Sequence, residues 1–211
     1  MTSLTTLLNL ADSRLPTGGH VHSGGVEEAV TSGLLTDLPT LRAFLIRRIR
    51  TSGMVAASLA VAVRTGAMDP ADADAETDAR TPAPAARDAS RAQGRGLVRL
   101  ARRVWPLQSW DALGPRPHLP VAAGAVGAAA GLDENQTALS VVYTTMTGSA
   151  TAAQRLLALD PTDVAALTFE LSGLCDDVAA EAVTGLADLS DPLLDVLAQR
   201  HTERDRPLFV S

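Results

Sequence analysis

The chain contains no lysine, and all 18 of its basic residues are arginine. Arginine cannot replace the phosphate-binding lysine of a Walker A loop, nor form a Schiff base with a carbonyl or pyridoxal phosphate, so both chemistries are excluded. Aromatic residues are scarce as well, at 3% of 211 residues. The core must therefore be built from small side chains, and the dominance of alanine, the best helix former, points to closely packed helices. The single cysteine, Cys175, belongs to no Cys-x-x-Cys pair and cannot close an internal disulfide. It reads as a buried small residue in a reducing compartment. The longest apolar runs, 54–63 and 120–132, fall short of the ~20 residues that a membrane helix requires. No charged start leads into an apolar segment, so we expect a cytoplasmic protein with no membrane partner. A net charge of -6 argues against a nucleic-acid partner.

Sustained strand alternation is also missing, whereas helical periodicity recurs along the whole chain. Leu4, Leu7, Leu8 and Ala11 form a first short helix, which ends in a Pro- and Gly-rich loop. Ser23 is a plausible N-cap for a second helix over 24–32, with Gly33 as its stop. Asp37 before Pro39 starts a third pattern that runs to Gly66, with a kink or break at Gly53. The acidic, proline-flanked stretch 67–87 reads as mobile or weakly helical. Further helices are expected over 84–104, 120–131, 134–159, 161–187 and 191–203, followed by a tail at 204–211. The chain thus reads as an all-α fold, a single-domain bundle of roughly eight to ten helices spanning 1–211.

The segment from Asp12 to Glu28 is more constrained than a connector needs. It holds Pro16, the pairs Gly18-Gly19 and Gly24-Gly25, His20, His22 and Ser23. Glycine tolerates positive φ and close backbone approach, so this reads as a crowded, fixed loop. His20 and His22 sit two apart, which on extended backbone offers two imidazoles to a metal ion, yet no Cys or carboxylate lies within two residues of the pair. The bland reading is a histidine bonded within the loop. His22, Ser23 and Glu27 have the residue types of base, nucleophile and orienter, but no Gly-x-Ser-x-Gly elbow is present, and Ser23 is better read as a cap. On the third helix Arg48 falls inside the apolar stripe of Leu41, Phe44, Leu45 and Ile49, so it either snorkels or pairs with a carboxylate at an interface. Arg99, Arg102 and Arg103 share one helix flank, a solvated face or a docking surface. The closing Leu208-Phe209-Val210 places one of only three phenylalanines at the chain end, where it either docks on a partner or folds back on its own core.

Leu15-Pro16-Thr17-Gly18-Gly19 followed by His22-Ser23-Gly24-Gly25-Val26-Glu27 resembles the N-terminal signature of the urease accessory protein F family. The likeness continues through Ser90, Gly94 and Leu97, through His118, Pro120, Val121, Gly124 and Ala125, through Arg155-Leu156, and into Leu208-Phe209-x-Ser211. The chain departs from the family pattern at His20, commonly aromatic, at Thr202, commonly Glu, and at Pro207, commonly Arg, which displaces Arg206 by one residue. The resemblance implies an all-helical scaffold with no reaction and no firmly bound cofactor of its own. Family members associate with accessory proteins D (also called H) and G, a nickel-binding GTPase, and with apo-urease, and they commonly form dimers. Nickel is then handled by the complex, and GTP hydrolysis is either activated or gated. On that reading Pro16, Gly18, Gly19, His22, Ser23, Gly25 and Glu27 belong to the face for the GTPase. Arg206, Leu208 and Phe209 form the docking tail for D, and Arg48 is an interface residue. The alternatives are a nickel-binding protein using His20 and His22, or a small serine hydrolase.

Overall fold

The computed structural model describes residues 4–205 and 207–210. Among these residues every regular element is helical. The α-helices are α1 (Leu4–Leu10), α2 (Val26–Thr31), α3 (Leu38–Arg48), α4 (Met54–Thr65), α5 (Pro70–Ala79), α6 (Pro84–Val104), α7 (Leu119–Ala129), α8 (Glu134–Leu157), α9 (Pro161–Glu170), α10 (Ser172–Ala182) and α11 (Pro192–His201). A π-helical turn, Ile49–Gly53, carries α3 into α4 without a loop, so the two form one rod and the bundle has ten. The all-α expectation is borne out. The break read at Gly53 is this turn, where the extra residue per turn shifts the buried face without ending the helix.

Local chemistry sets the helix ends. The Asp37 carboxylate accepts from the Thr40 amide at 2.9 Å and the Thr40 hydroxyl accepts from the Asp37 amide at 3.0 Å, a reciprocal cap for α3. Asp133 and Gln136 repeat this at the start of α8, at 2.7 and 3.0 Å. Helix α4 is apolar nearly all round, which water does not tolerate, and it is accordingly central, packed by α7, α8, α10 and α5. Its approach to α7 is backbone-close: a Cβ on Gly124 would run into the Ala60 carbonyl. Small residues thus serve in packing as the composition suggested.

The main core joins α2, α3, α4, α8, α9, α10 and α11 around Leu41, Leu45, Ile49, Met146 and Leu197, each 2% exposed or less. Burying each such side chain contributes roughly 1.5–3 kcal/mol. A second cluster lies between α4, α6 and α7 and includes Leu97, Val98, Val121 and Trp110. Cys175 is buried 3.7 Å from the Met146 sulfur, and burial pushes its thiol up to about 11, so it is an inert packing residue.

One expectation differs from the structure. The span 161–187 is two helices, because Leu171 leaves the helix at φ -86°, ψ 0° to bury its side chain, and the Ser172 hydroxyl donates to the Phe169 carbonyl at 2.7 Å. Gly173, a poor helix former, follows the bend. The stretch 67–87 holds α5, which buries Ala73 and Thr77 and is tied down where the Arg80 guanidinium donates to the Ala187 carbonyl at 3.2 Å. Among the described residues no helix is long and apolar enough to cross a membrane.

Candidate functional site

The loop from Asp12 to Glu28 is fixed to the bundle on three sides. Gly18, Gly24 and Gly25 adopt φ of 84°, 64° and 88°, a left-handed region closed to most side chains. On the first side the loop lies on α6, where a Cβ at Gly96 would collide with the Thr17 carbonyl, and Arg99 donates to the Pro16 carbonyl at 3.4 Å. On the second, Arg48 reaches out of α3 and donates to the Gly24 carbonyl at 2.6 Å. Desolvation pushes the Arg48 guanidinium down to about 10, opposed by the charge of Asp191, and its Nε has no hydrogen-bond partner. Among the described residues Arg48 meets no carboxylate of its own chain, and through its bond to the Gly24 carbonyl it braces the loop from within. It also lines a cavity of about 460 Å³ beneath the loop, shared with Ser52, Thr145 and Phe209.

The third side is the chain's own end. The N-cap of α2 is Gly25 and not Ser23 as expected; Ser23, two residues earlier, still accepts the Glu27 amide of the first turn at 3.3 Å. Glu27 is then held 2% exposed. Its Oε1 accepts the Leu208 amide at 2.8 Å, and its Oε2 accepts the Phe209 amide at 3.0 Å and the His201 Nε2 proton at 2.8 Å. Because an ionised carboxylate only accepts, the His201 tautomer with hydrogen on Nε2 is selected. Burial alone would raise the Glu27 carboxyl, but the Leu208 amide, the His201 ring and the Phe209 amide together hold it below its ordinary value. One residue further, the Val210 amide donates to the Val21 carbonyl at 2.7 Å. Arg204 adds bonds to the Thr31 hydroxyl at 2.5 Å and to Glu28 at 3.4 Å.

The tail thus alternates. Phe209 turns inward, 5% exposed, with the Arg155 guanidinium 5.2 Å over its ring, while Leu208 and Val210 face out at 78% and 71%. Of the loop residues singled out from the sequence, Pro16 is exposed, Gly18, Gly19 and His22 are half-buried, and Ser23, Gly25 and Glu27 are buried. Arg206 lies outside the described residues. His201, Arg204 and Val21 were not anticipated as parts of this site. Glu27 and His201 lie 174 positions apart and share no local pattern.

The Glu27 carboxylate, read as the possible orienter of a His22–Ser23 pair, is instead committed to the Leu208 and Phe209 amides and to His201. Among the described residues, the one group of three His, Cys or carboxylate ligands within 4.8 Å is Asp74, Asp78 and His118, not His20 and His22. A guanidinium already sits there: Arg91 bonds Asp74 at 2.8 Å and Asp78 at 2.7 Å. Asp74 also accepts the His118 amide at 2.8 Å, and Asp78 meets His118 Nε2 at 2.9 Å. The cluster fastens α5 and α6 to the start of α7, where Ser90 Oγ accepts the Leu119 amide at 3.1 Å.

Burial lowers the His118 ring below its ordinary value, the bond from Asp78 opposes this, and the charge of Arg91 lowers it further. An unfolded histidine then takes up its proton at higher pH than the folded one. The stability gained from neutral His118 is full above about pH 6.5 and is lost as pH falls through the lowered value. The urea midpoint is expected to drop between about pH 7.5 and about pH 5.5, and less steeply in His118→Gln. Equal slopes in both proteins would contradict this.

Fold and site together define an all-helical protein whose most constrained loop is joined to residues 208–210. Comparison with known proteins agrees. The UreF family model matches residues 35–172. The chain is 78% identical to the urease accessory protein UreF of Mycobacterium sp. (strain JLS) over 211 residues, covering both chains fully. It is 75% identical to that of Mycolicibacterium vanbaalenii over 214 residues and 68% identical to that of Mycobacterium tuberculosis (strain ATCC 25177 / H37Ra) over 211, again across both full chains. The chain belongs to the UreF family of urease accessory proteins, which are chaperones and not enzymes.

Proposed function

We propose that the chain serves urease maturation in the cytoplasm as a homodimeric scaffold. It assembles with accessory proteins D/H and G and with apo-urease so that nickel reaches the urease active site. The observation that carries this reading is the joined loop and tail, which hold Pro16 on one side and Leu208 and Val210 on the other at the surface of a braced helical body. Exposed apolar side chains on an ordered segment favour docking, since anchors that need no ordering bind at lower entropic cost. Leu208 is the contact for accessory protein D, with Phe209 as the root that positions it. Pro16 and the loop edge meet the GTPase.

The chain either gates GTP hydrolysis by G or activates it, and Arg14 and Arg48 are poorly placed to serve as the activating arginine. An arginine finger must reach a γ-phosphate unpaired. Arg14 is bound to Asp12 at 2.5 Å, and Arg48 is committed beneath the loop. GTP turnover by G in the complex is therefore expected to be the same with Arg14→Ala as with the unaltered chain.

The test is affinity capture of the N-terminally tagged chain co-expressed with D and G. A ternary complex is expected, and its absence under several salt conditions refutes the reading. Leu208→Asp is expected to weaken capture of D by about tenfold or more, as loss of an apolar anchor does. Undiminished capture would refute the tail assignment.

A further inference from the structure

Helix α6 carries arginines at 87, 91, 95, 99, 102 and 103 along one side. The first two are used inside the molecule: Arg87 meets Asp78 and the carbonyls of Thr81 and Pro82, and Arg91 bridges Asp74 and Asp78. Beyond Arg91 the neutralisation stops. Arg95, Arg99, Arg102 and Arg103 are exposed, and among the described residues none meets a carboxylate. Arg99 donates to the Pro16 carbonyl, which makes this face continuous with the signature loop. Past the helix end the patch acquires an apolar rim, with Val104 53% and Leu107 99% exposed.

A purely structural role does not account for the set. Cations complement the helix dipole within the last turn, which covers Arg102 and Arg103 but neither Arg95 nor Arg99. Like charges three and four residues apart disfavour the helix that carries them, so the stripe weakens the isolated protein. In a chain of net charge -6 such a concentration of positive charge is locally maintained against the overall balance.

We propose that the C-terminal half of α6, Arg95, Arg99, Arg102 and Arg103 with Leu107 as its apolar anchor, docks an acidic protein surface belonging to a partner in the maturation complex. This rests on the function proposed above and adds to it the surface used and the charge of the partner. A polyanion such as RNA fits less well. It would gain from exposed aromatic rings for base stacking, but Trp110 is buried and Trp105 half-buried, and it offers no seat for Leu107.

The experiment measures binding of the N-terminally tagged full chain, separately, to accessory protein D, accessory protein G, apo-urease and polyuridylic acid. It compares the wild type with Arg102→Glu/Arg103→Glu, with Arg102→Gln/Arg103→Gln and with Leu107→Asp, all checked for unchanged helicity. One protein partner is expected to lose about tenfold or more in affinity on charge reversal, less in the glutamine variant, and its affinity for the wild type should fall with salt. Leu107→Asp should weaken the same partner and no other. Affinities within about twofold of wild type for all three proteins, or a loss confined to polyuridylic acid, overturn the proposal. A wild-type chain that binds none of the three proteins overturns the maturation reading and this one together, whereas intact wild-type binding with no effect of the variants overturns this one alone.

Discussion

Replacing Glu27 by alanine will free residues 207–210 from the bundle and lower stability by about 3 kcal/mol or more, because buried donors lose a charged acceptor at once. The amides of Leu208 and Phe209 and the ring proton of His201 all converge on this one carboxylate. Hydrogen exchange at the two amides and the urea midpoint check the claim, and unchanged protection at Leu208 and Phe209 would refute it. Acid should do the same by titration. The Glu27 carboxyl is lowered in the fold, so the stability it supplies is present above the ordinary value of 4.5 and is lost as pH falls through the depressed one. Tail release is therefore expected on the acid side of pH 4.5, distinct from the loss tied to His118 that begins nearer neutrality.

The second large effect comes from two glycines of α6. A Cβ at Gly94 would run into the carbonyl of Pro117 and lie 2.9 Å from the His118 carbonyl carbon, and one at Gly96 would strike the backbone of Thr17. Backbone cannot swing aside as a side-chain tip can. Alanine in mid-helix gains roughly 1 kcal/mol of propensity over glycine, but here the overpacking exceeds that gain, and Gly94→Ala and Gly96→Ala should each destabilise by about 2 kcal/mol or more. Gly148, inside α8, has nothing within 4 Å of the position its Cβ would take. Gly148→Ala is therefore the internal control and should stabilise the protein by roughly 0.5–1 kcal/mol. Similar melting temperatures for all three variants would refute the account of close approach.

Where a feature depends on nearest neighbours along the chain, the residues announced it. The cap at Asp37, the stops at Gly33 and Gly66, and the bounds of α6 were readable because capping and positive φ are local requirements. Periodicity did not locate the bend at Leu171, since both arms keep an apolar stripe and only the competition between burial and helix continuation separates them. At the candidate site the loop was recognisable but its purpose was not. Gly96 and Gly94 look like ordinary helix-weakening residues until Thr17 and His118 are seen against them. Glu27 gave no sign of its partners, because a carboxylate that joins distant segments leaves no spacing to count. Arg48 stood out as a charge in an apolar stripe, and a backbone carbonyl as its partner is something no residue pattern encodes.

The union of Glu27 with the amides of Leu208 and Phe209 ties two distant stretches of the chain to a common fate. A codon change that removes the carboxylate strands residues 207–210, and a mutation that removes those residues leaves a charge stranded in the interior. Descendants of this sequence should therefore vary at the two stretches in step.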